Sequence, residues 1–433
     1  MPASGGPVTP ETTLDASEGE TNHVGAFFLP DGKHYLFHRR ATLVGKSDFA
    51  VWVGLLGSKE RKRLLEGTTR ARYAPSREKG PGRLLYVRGV TLFAQPFDAD
   101  RLELAGDPVA LAEGLSTTTV GTDADFSVSG TGVLAYRRGG AADIELQWFD
   151  SSGKSEGTLT RGGQTLPRLS RDGKFLASTI LPGFDIWVLD LDRGSRSRLT
   201  FSGATRGFAW SPDSTRIAYG AANGDIYWKL ANGTGKDQLA MHGDGTPISV
   251  YDWSSDGRLL LAAKGVASAT SLHTFEISGN PGALTPLLPA ANARGAQFFP
   301  SGKDSTRWFA YSANESGAAD EVYIQSMPGQ PEGKWQVSSS GGEWPHWRVD
   351  GRELFYLAPD RTVMAVDVRT SPALQLGVRR KLFKAPTSPA GAPATAWDVS
   401  ADGKKFLFIA SSNDTADTPI EVTVNWQELL KTK

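Results

Sequence analysis

Pro167-Arg168-Leu169-Ser170-Arg171-Asp172-Gly173-Lys174-Phe175-Leu176-Ala177-Ser178-Thr179-Ile180 decides the architecture of this chain. Two short strand-forming runs flank a tight turn. Asp172 caps that turn through its short side chain, and Gly173 accepts the left-handed conformation that closes a hairpin. Residues 185–191 read as a third strand and 197–200 as a fourth, with Asp192-Arg193-Gly194 turning the chain between them. The turn phrase then returns. Copies stand at Leu29-Pro30-Asp31-Gly32, Ser211-Pro212-Asp213-Ser214, Ser254-Ser255-Asp256-Gly257, Arg348-Val349-Asp350-Gly351 and Ser400-Ala401-Asp402-Gly403. Where copies are consecutive they lie roughly 40 to 50 residues apart, which marks a repeat architecture.

The four-strand unit reads nine times along the chain. A single sheet of this size cannot bury both faces, whereas radial stacking on neighbours does, and closing the ring removes the exposed ends. The sequence therefore predicts an all-β fold, a single β-propeller of nine four-stranded blades over 21–433 behind an N-terminal segment 1–20. Within that segment, residues 8–14 resemble the fourth strand of a repeat and are expected to complete the last blade. Eight blades are one alternative. A six-bladed ring over roughly 160–433, with the first three units packed as a partial domain, is another. Recurring aromatics, among them Trp187, Trp210, Trp253, Trp347 and Trp397, are expected to fill the space between blades.

Composition narrows the function classes. Of 433 residues, 49 are glycine and 25 proline, as suits many turns. Lys plus Arg and Asp plus Glu number 47 each, so no basic field is available for a dominant nucleic-acid role. With no cysteine, disulfides, thiolate metal sites and cysteine nucleophiles are excluded. The first residues, Met1-Pro2-Ala3-Ser4-Gly5-Gly6, lack the pattern of a signal peptide, and no stretch approaches a transmembrane helix. The chain is expected not to insert into a membrane and to be monomeric.

Several phrases carry a closer likeness. They are Tyr73-Ala74-Pro75, Gly89-Val90-Thr91-Leu92-Phe93-Ala94-Gln95-Pro96-Phe97-Asp98, Phe126-Ser127-Val128-Ser129, Gly333-Lys334-Trp335-Gln336-Val337-Ser338, Asp350-Gly351-Arg352-Glu353-Leu354-Phe355-Tyr356-Leu357 and Thr418-Pro419-Ile420-Glu421-Val422-Thr423-Val424-Asn425-Trp426. With the repeated turns, they resemble the WD40-like, TolB-type PD40 repeat. More narrowly, they are similar to the C-terminal sensor region of bacterial PD40-containing serine/threonine protein kinases. The resemblance implies a non-catalytic sensor or scaffold that binds proteins, outside the cytoplasmic membrane when joined to such a kinase. The glycine-rich phosphate loop, the catalytic-loop His-Arg-Asp and the Asp-Phe-Gly of a kinase do not occur in this chain.

Candidate site residues follow from the repeats. Arg206 and Arg294 stand seven residues before corresponding turn positions, Asp213 and Ser301. Arg72 precedes the second hairpin, and Arg168 lies in its own first strand. Equivalent positions in different blades converge on a channel mouth, where guanidiniums take carboxylates or phosphates by bidentate bonds. His23 and His346 lie at or before first strands, which line the channel of a propeller. The expected ligand is a protein, a peptide or a small anion, held by Arg72, Arg206, Arg294, His23 and His346, with ordinary salt bridging as the plain alternative for the arginines. No cofactor and no metal is expected. His34 and His38 share one side of a strand without a third ligand, and Asp98-Ala99-Asp100 and Asp190-Leu191-Asp192 read as turn caps. Lys59-Glu60-Arg61-Lys62-Arg63 reads as a solvated turn. No Gly-x-Ser-x-Gly elbow is present. The enzymatic alternative is a lyase or glycoside hydrolase whose channel-facing carboxylates would include Glu343, Asp123 and Asp398.

Overall fold

The computed structural model describes residues 10–15, 18, 20–43, 46–67, 69–77, 80–117, 123–138, 144–180, 184–201, 205–221, 223–266, 269–277, 283–288, 292–300, 306–315, 317, 319–331, 333–371, 373–387, 397–411 and 419–430. The fold is all-β. Among the described residues its nine antiparallel sheets are the number that a nine-bladed propeller requires; seven have four strands, one has three and one has five. Among the described residues, no helix is long and apolar enough to cross a membrane. The chain forms two compact units, Met1–Asp143 with Ser412–Lys433, and Ile144–Ser411.

The first unit holds three sheets. β1 (Glu20–Phe28), β2 (His34–Leu43), β3 (Lys46–Leu55) and β4 (Arg61–Glu66) make the first. β5 (Arg72–Ala74), β6 (Gly82–Arg88), β7 (Thr91–Asp98) and β8 (Glu103–Leu104) make the second, with β9 (Val109–Ala112) also on β7. β10 (Phe126–Val128) and β11 (Val133–Arg137) begin the third.

In the second unit, β12 (Ile144–Asp150) and β13 (Ser155–Arg161) come first. Five four-stranded meanders follow. They are β14 (Gln164–Leu169), β15 (Phe175–Ile180), β16 (Asp185–Asp190), β17 (Arg196–Arg198); β18 (Arg206–Trp210), β19 (Arg216–Gly220), β20 (Ile226–Leu230), β21 (Gln238–Met241); β22 (Ile248–Trp253), β23 (Leu259–Val266), β24 (Ala269–Glu276), β25 (Thr285–Leu288); β26 (Arg294–Phe298), β27 (Trp308–Ala313), β28 (Glu321–Ser326), β29 (Lys334–Gln336); and β30 (Glu343–Trp347), β31 (Glu353–Leu357), β32 (Thr362–Arg369), β33 (Gln375–Lys384). β34 (Trp397–Val399) and β35 (Lys405–Ser411) then join the opening pair in one sheet, ordered β13-β12-β35-β34. β12 pairs with β35 without a register break, from Ile144↔Ser411 to Asp150↔Lys405. The innermost strands β14, β18, β22, β26, β30 and β34 touch in cyclic order, with β34 returning to β14. The second unit thus closes on itself as a six-sheet ring over Ile144–Ser411, rather than the 160–433 of the six-bladed alternative. The last strand, β36 (Ile420–Val424), pairs with β11 and completes the third sheet of the first unit.

The repeated turn accounts for the hairpins in atomic terms. Ser170 Oγ donates to Asp172 Oδ1 at 2.6 Å and accepts the Phe175 N–H at 2.9 Å. Asp172 Oδ1 also accepts the Lys174 N–H at 3.1 Å, and Gly173 sits at φ 71°. Ser211 with Asp213, Ser254 with Asp256 and Ser400 with Asp402 repeat this lock. The serine is therefore as much part of the turn as the aspartate.

A second repeated device sits in the first strands. The residue six before the turn aspartate takes a positive φ at Leu166 (51°), Gly207 (52°), Trp344 (55°) and, in the first unit, Gly25 (70°); Gly295 (58°) is its counterpart in β26. The pairing register shifts at each of these places. Such bulges bend a strand and re-aim the side chains beyond them. Between sheets, Trp253 and Trp397 are wholly buried, and Trp210 and Trp347 nearly so. Trp187 departs from that role: it is half-buried, with the Arg196 guanidinium 5.2 Å from its ring.

The closing strand expected at residues 8–14 is not formed over its described part, 10–14, while Val8 and Thr9 lie outside the described residues. The last repeat takes β12 and β13 as its outer strands. The physical reason is the apolar Ile144-Glu145-Leu146-Gln147-Trp148-Phe149 run, whose Ile144 and Leu146 bury against Leu176, Leu407 and Ile409. Glu11, inside the expected strand, instead accepts the Gly57 N–H at 2.7 Å.

Candidate functional site in the axial channel of the second unit

The six inner strands of the second unit place one equivalent position each around an axis. Counting four residues back from the turn gives Arg168, Ala209, Asp252, His346 and Asp398, with Gln297 the counterpart in β26. All but His346 line a cavity of about 120 Å³, to which β30 contributes Trp347 instead. Leu169, Trp210 and Phe298 form apolar walls; Arg171, Pro300, Val349 and Ala401, from the turns, rim one end.

Three of these positions use their side chains to hold the neighbouring sheet. Asp252 Oδ2 accepts the Phe298 N–H at 2.8 Å. Gln297 Oε1 accepts the Trp347 N–H at 3.1 Å. Asp398 Oδ2 accepts the Leu169 N–H at 2.7 Å, joining the last inner strand to the first. In each case an acceptor four residues before the turn takes the next N–H of the adjacent inner strand. Short polar acceptors at this spacing therefore stitch the ring along its axis, each worth roughly 1–3 kcal/mol where the buried donor would otherwise be unpaired.

The electrostatics of the two aspartates differ. Burial pushes the Asp252 carboxyl above its ordinary range, with Arg171 and the Trp253 and Phe298 N–H groups opposing. Burial also works against ionised Asp398, but His346, Arg168 and the Leu169 N–H outweigh it and hold the carboxyl below that range. His346 Nδ1 lies 3.2 Å from Asp398 Oδ1 and 3.3 Å from Gln297 Nε2. Its ring meets Trp397 edge-on at 4.4 Å. Burial pushes the imidazole below its ordinary value despite Asp398, so at neutral pH a neutral ring faces an ionised carboxylate.

Two cations project among these groups. Arg171 reaches across to β22, where Nη1 donates to Ser255 Oγ, Nη2 donates to the Trp253 carbonyl at 2.5 Å, and Asp252 lies 3.8 Å away. Arg168 uses only Nη1, which donates to the Trp397 carbonyl at 3.2 Å and the Pro167 carbonyl at 3.3 Å. Its Nε and Nη2 have no acceptor among the described residues. Tyr251 also lines the cavity, and burial raises its phenol to about 12, with Arg294 and Arg168 opposing.

The residues singled out from the sequence fall in both units. Arg294 opens β26, lies 3.6 Å from Asp320, and acts with Arg361 on Glu343. Burial, then Asp320, raises the Glu343 carboxyl. Glu343 and Arg294 occupy corresponding positions at the starts of β30 and β26. Arg206 opens β18, and its side chain lies outside the described residues. His346 is in the axial network above. His23 and Arg72 belong to the first unit. His23 Nε2 is 3.2 Å from Glu20, in a buried group where Arg39 and Arg61 also contact Glu20, at 2.6 and 2.9 Å. Arg61 is thus more than part of a solvated turn. Arg72 stacks 5.7 Å over Phe27. Asp123 is ion-paired with Arg70 in the same unit. Among the described residues, no group of three His, Cys, Asp or Glu side chains is placed to hold a metal ion.

Asp252, Gln297, Tyr251 and Arg171 escaped the sequence reading. The signal was present in the spacing back from each turn aspartate. Without the register shifts that interrupt these first strands, however, the direction of these side chains cannot be read.

No family model matches the chain, and no curated protein matches it. Solved structures do. One is a putative TolB from Agrobacterium tumefaciens, 16% identical with a TM-score of 0.47, over 62% of this chain and 98% of that one. TolB from Acinetobacter baumannii is 12% identical with a TM-score of 0.42, over 72% of this chain and 80% of its own. A structure of prolyl endopeptidases is 16% identical with a TM-score of 0.36, over 83% of this chain and 50% of that one.

Proposed function

We propose that this chain is a non-catalytic sensor or scaffold that binds a protein, a peptide or a small anionic ligand at the axial channel of its second unit. The observation that carries this reading is the cavity itself: every inner strand contributes to it, and Arg168 presents unused donors there. A rigid ring holding variable side chains at equivalent positions is a preorganised binding surface. Arg294 and His346 also stand on inner strands, β26 and β30, but neither lines the cavity, and His346 is buried behind it. In a kinase-linked sensor, as the sequence resemblance implies, such a surface would face the extracytoplasmic side.

The lyase or glycoside hydrolase reading is the weaker one. Asp398 is already engaged by His346 and by the Leu169 and Val399 N–H groups. Asp123 is in the other unit and paired with Arg70. Acid–base work on a glycosidic bond needs two facing carboxylates free to exchange protons.

The test is affinity capture from the native membrane and extracellular fractions, followed by mass spectrometry, with the wild type and Ala401→Trp. Ala401 rims the cavity at an exposed turn position, so the substitution obstructs the channel without disturbing a core. The reading expects a ligand retained by the wild type and lost by the variant. Identical capture by both would exclude the channel.

A further inference from the structure

We propose that the group bound in this channel is a carboxylate, gripped by the open edge of the Arg168 guanidinium with Tyr251 Oη beside it. The inference rests on the channel reading above and names the chemistry of its ligand. It starts from an imbalance in how the polar groups lining the cavity are used. Asp252, Gln297 and Asp398 all spend an oxygen on the N–H of a neighbouring strand, and Arg171 is spent on Ser255 and the Trp253 carbonyl. Arg168 and Tyr251 are the exceptions. Arg168 anchors itself through Nη1 alone, and among the described residues Nε and Nη2 have no acceptor and the Tyr251 hydroxyl forms no hydrogen bond. Nε and one Nη of a guanidinium form a planar fork that matches the two oxygens of a carboxylate.

The anchoring of Nη1 matters as much as the freedom of the other two nitrogens. Held by the Trp397 carbonyl at 3.2 Å, the guanidinium has already lost much of its rotamer freedom, so little more is lost on binding. Asp252 and Asp398 face the same cavity but form no ion pair with Arg168, and both carry backbone N–H donors that offset their charge. Size restricts the ligand further. Pockets for drug-sized molecules span about 300–1,000 Å³. A cavity of about 120 Å³ takes a short-chain acid or the last residue of a peptide. The apolar walls Leu169, Trp210, Phe298 and Trp347 favour a small aliphatic group behind the carboxylate.

The experiment measures binding by titration calorimetry for two matched pairs: butyrate with butyramide, and acetyl-Gly-Val with its C-terminal amide. Wild type is compared with Arg168→Gln. At least one acid should bind the wild type tenfold or more tightly than its amide, and Arg168→Gln should abolish the difference. Preference for butyrate identifies a free acid, and preference for the peptide acid a chain terminus. Equal binding of acid and amide overturns the inference while leaving the channel reading intact. So does binding of neither pair by a protein whose captured ligand is still lost in Ala401→Trp. Circular dichroism and the urea midpoint of Arg168→Gln establish that the variant is folded, and an acid preference that survives in it also overturns the assignment.

Discussion

Asp398 Oδ2 accepts the backbone N–H of Leu169 at 2.7 Å across 229 positions of sequence, and by that contact the last inner strand of the second unit is tied to its first. The Arg168 guanidinium crosses the same seam to the Trp397 carbonyl. Removing the carboxylate leaves a part-buried N–H and a buried His346 without their acceptor. Asp398→Ala should therefore cost about 3 kcal/mol, and Asp398→Asn, which keeps an oxygen, about 1 kcal/mol. Urea unfolding followed by tryptophan fluorescence measures both. Equal losses would mean that the carboxyl charge, not the acceptor, does the tying.

Acidification below the ordinary histidine range should loosen the fold. Burial depresses the imidazoles of His23, His273 and His346 below the ordinary 6.5. Below that value the unfolded chain binds protons that the folded chain refuses, so stability rises with pH there and falls as pH drops from 6.5 toward the folded values. Each histidine contributes at most about 1.4 kcal/mol per pH unit within its window. Asp252 has the opposite sign. Its carboxyl is raised, so the cost of ionising it is relieved as pH falls through its folded value toward 3.8. Urea midpoints at pH 7.5 and 5.5 should fall for the wild type and fall less for His346→Gln. An identical slope in the variant would remove His346 from the account.

The hairpins were legible because the turn is local. Asp and Gly at fixed spacing, between strand-forming runs, give the repeat without any tertiary knowledge. The serine two residues before the aspartate was equally visible, yet its bond to the Phe175 N–H, five residues on, needs the hairpin to exist first. Strand exchange was not legible. Ile144–Asp150 has the pattern of a third strand in its own repeat, and nothing in that pattern says that β35 will pair with it. Alternation specifies a face, while partner choice depends on which distant edge is open. The axial residues lie between these cases: Asp252, His346 and Asp398 share a spacing from the turn, but in β22 and β30 a register shift just before the residue also sets which way its side chain is aimed.

Two glycines separate turn strain from packing strain. Gly173 has φ 71° and open space where a Cβ would stand, so Gly173→Ala should cost only the left-handed penalty of about 1–2 kcal/mol. Gly207 has φ 52°, and a Cβ there would stand 2.6 Å from the Val250 carbonyl oxygen, a backbone atom of the next inner strand. Gly207→Ala should therefore cost clearly more than Gly173→Ala in the same urea assay. Equal costs would show that β18 and β22 yield without penalty.

β36 is built into the first unit. β36 pairs with β11 from Val133↔Val424 to Arg137↔Ile420, and Tyr136 Oη donates to Glu421 at 2.7 Å. Just beyond the strand, the wholly buried Trp426 shares a cluster with Leu85 and Leu92 of the second sheet, Leu134 of the third, and Leu115 from the segment between them. Gln427 adds a bond from Nε2 to the Pro75 carbonyl at 3.2 Å. Tyr136→Phe removes the bond to Glu421 and the longer one, at 3.5 Å, from Arg138 Nη2, and should cost about 1 kcal/mol. Trp426→Ala leaves a large cavity and should cost about 3–5 kcal/mol. Because that cavity sits where β36 is anchored, hydrogen exchange in Trp426→Ala should quicken at 420–424 and 133–137 together, while the amides of β22 and β26 keep their protection. Quickened exchange confined to 420–424 would show that β11 holds its place without the final strand.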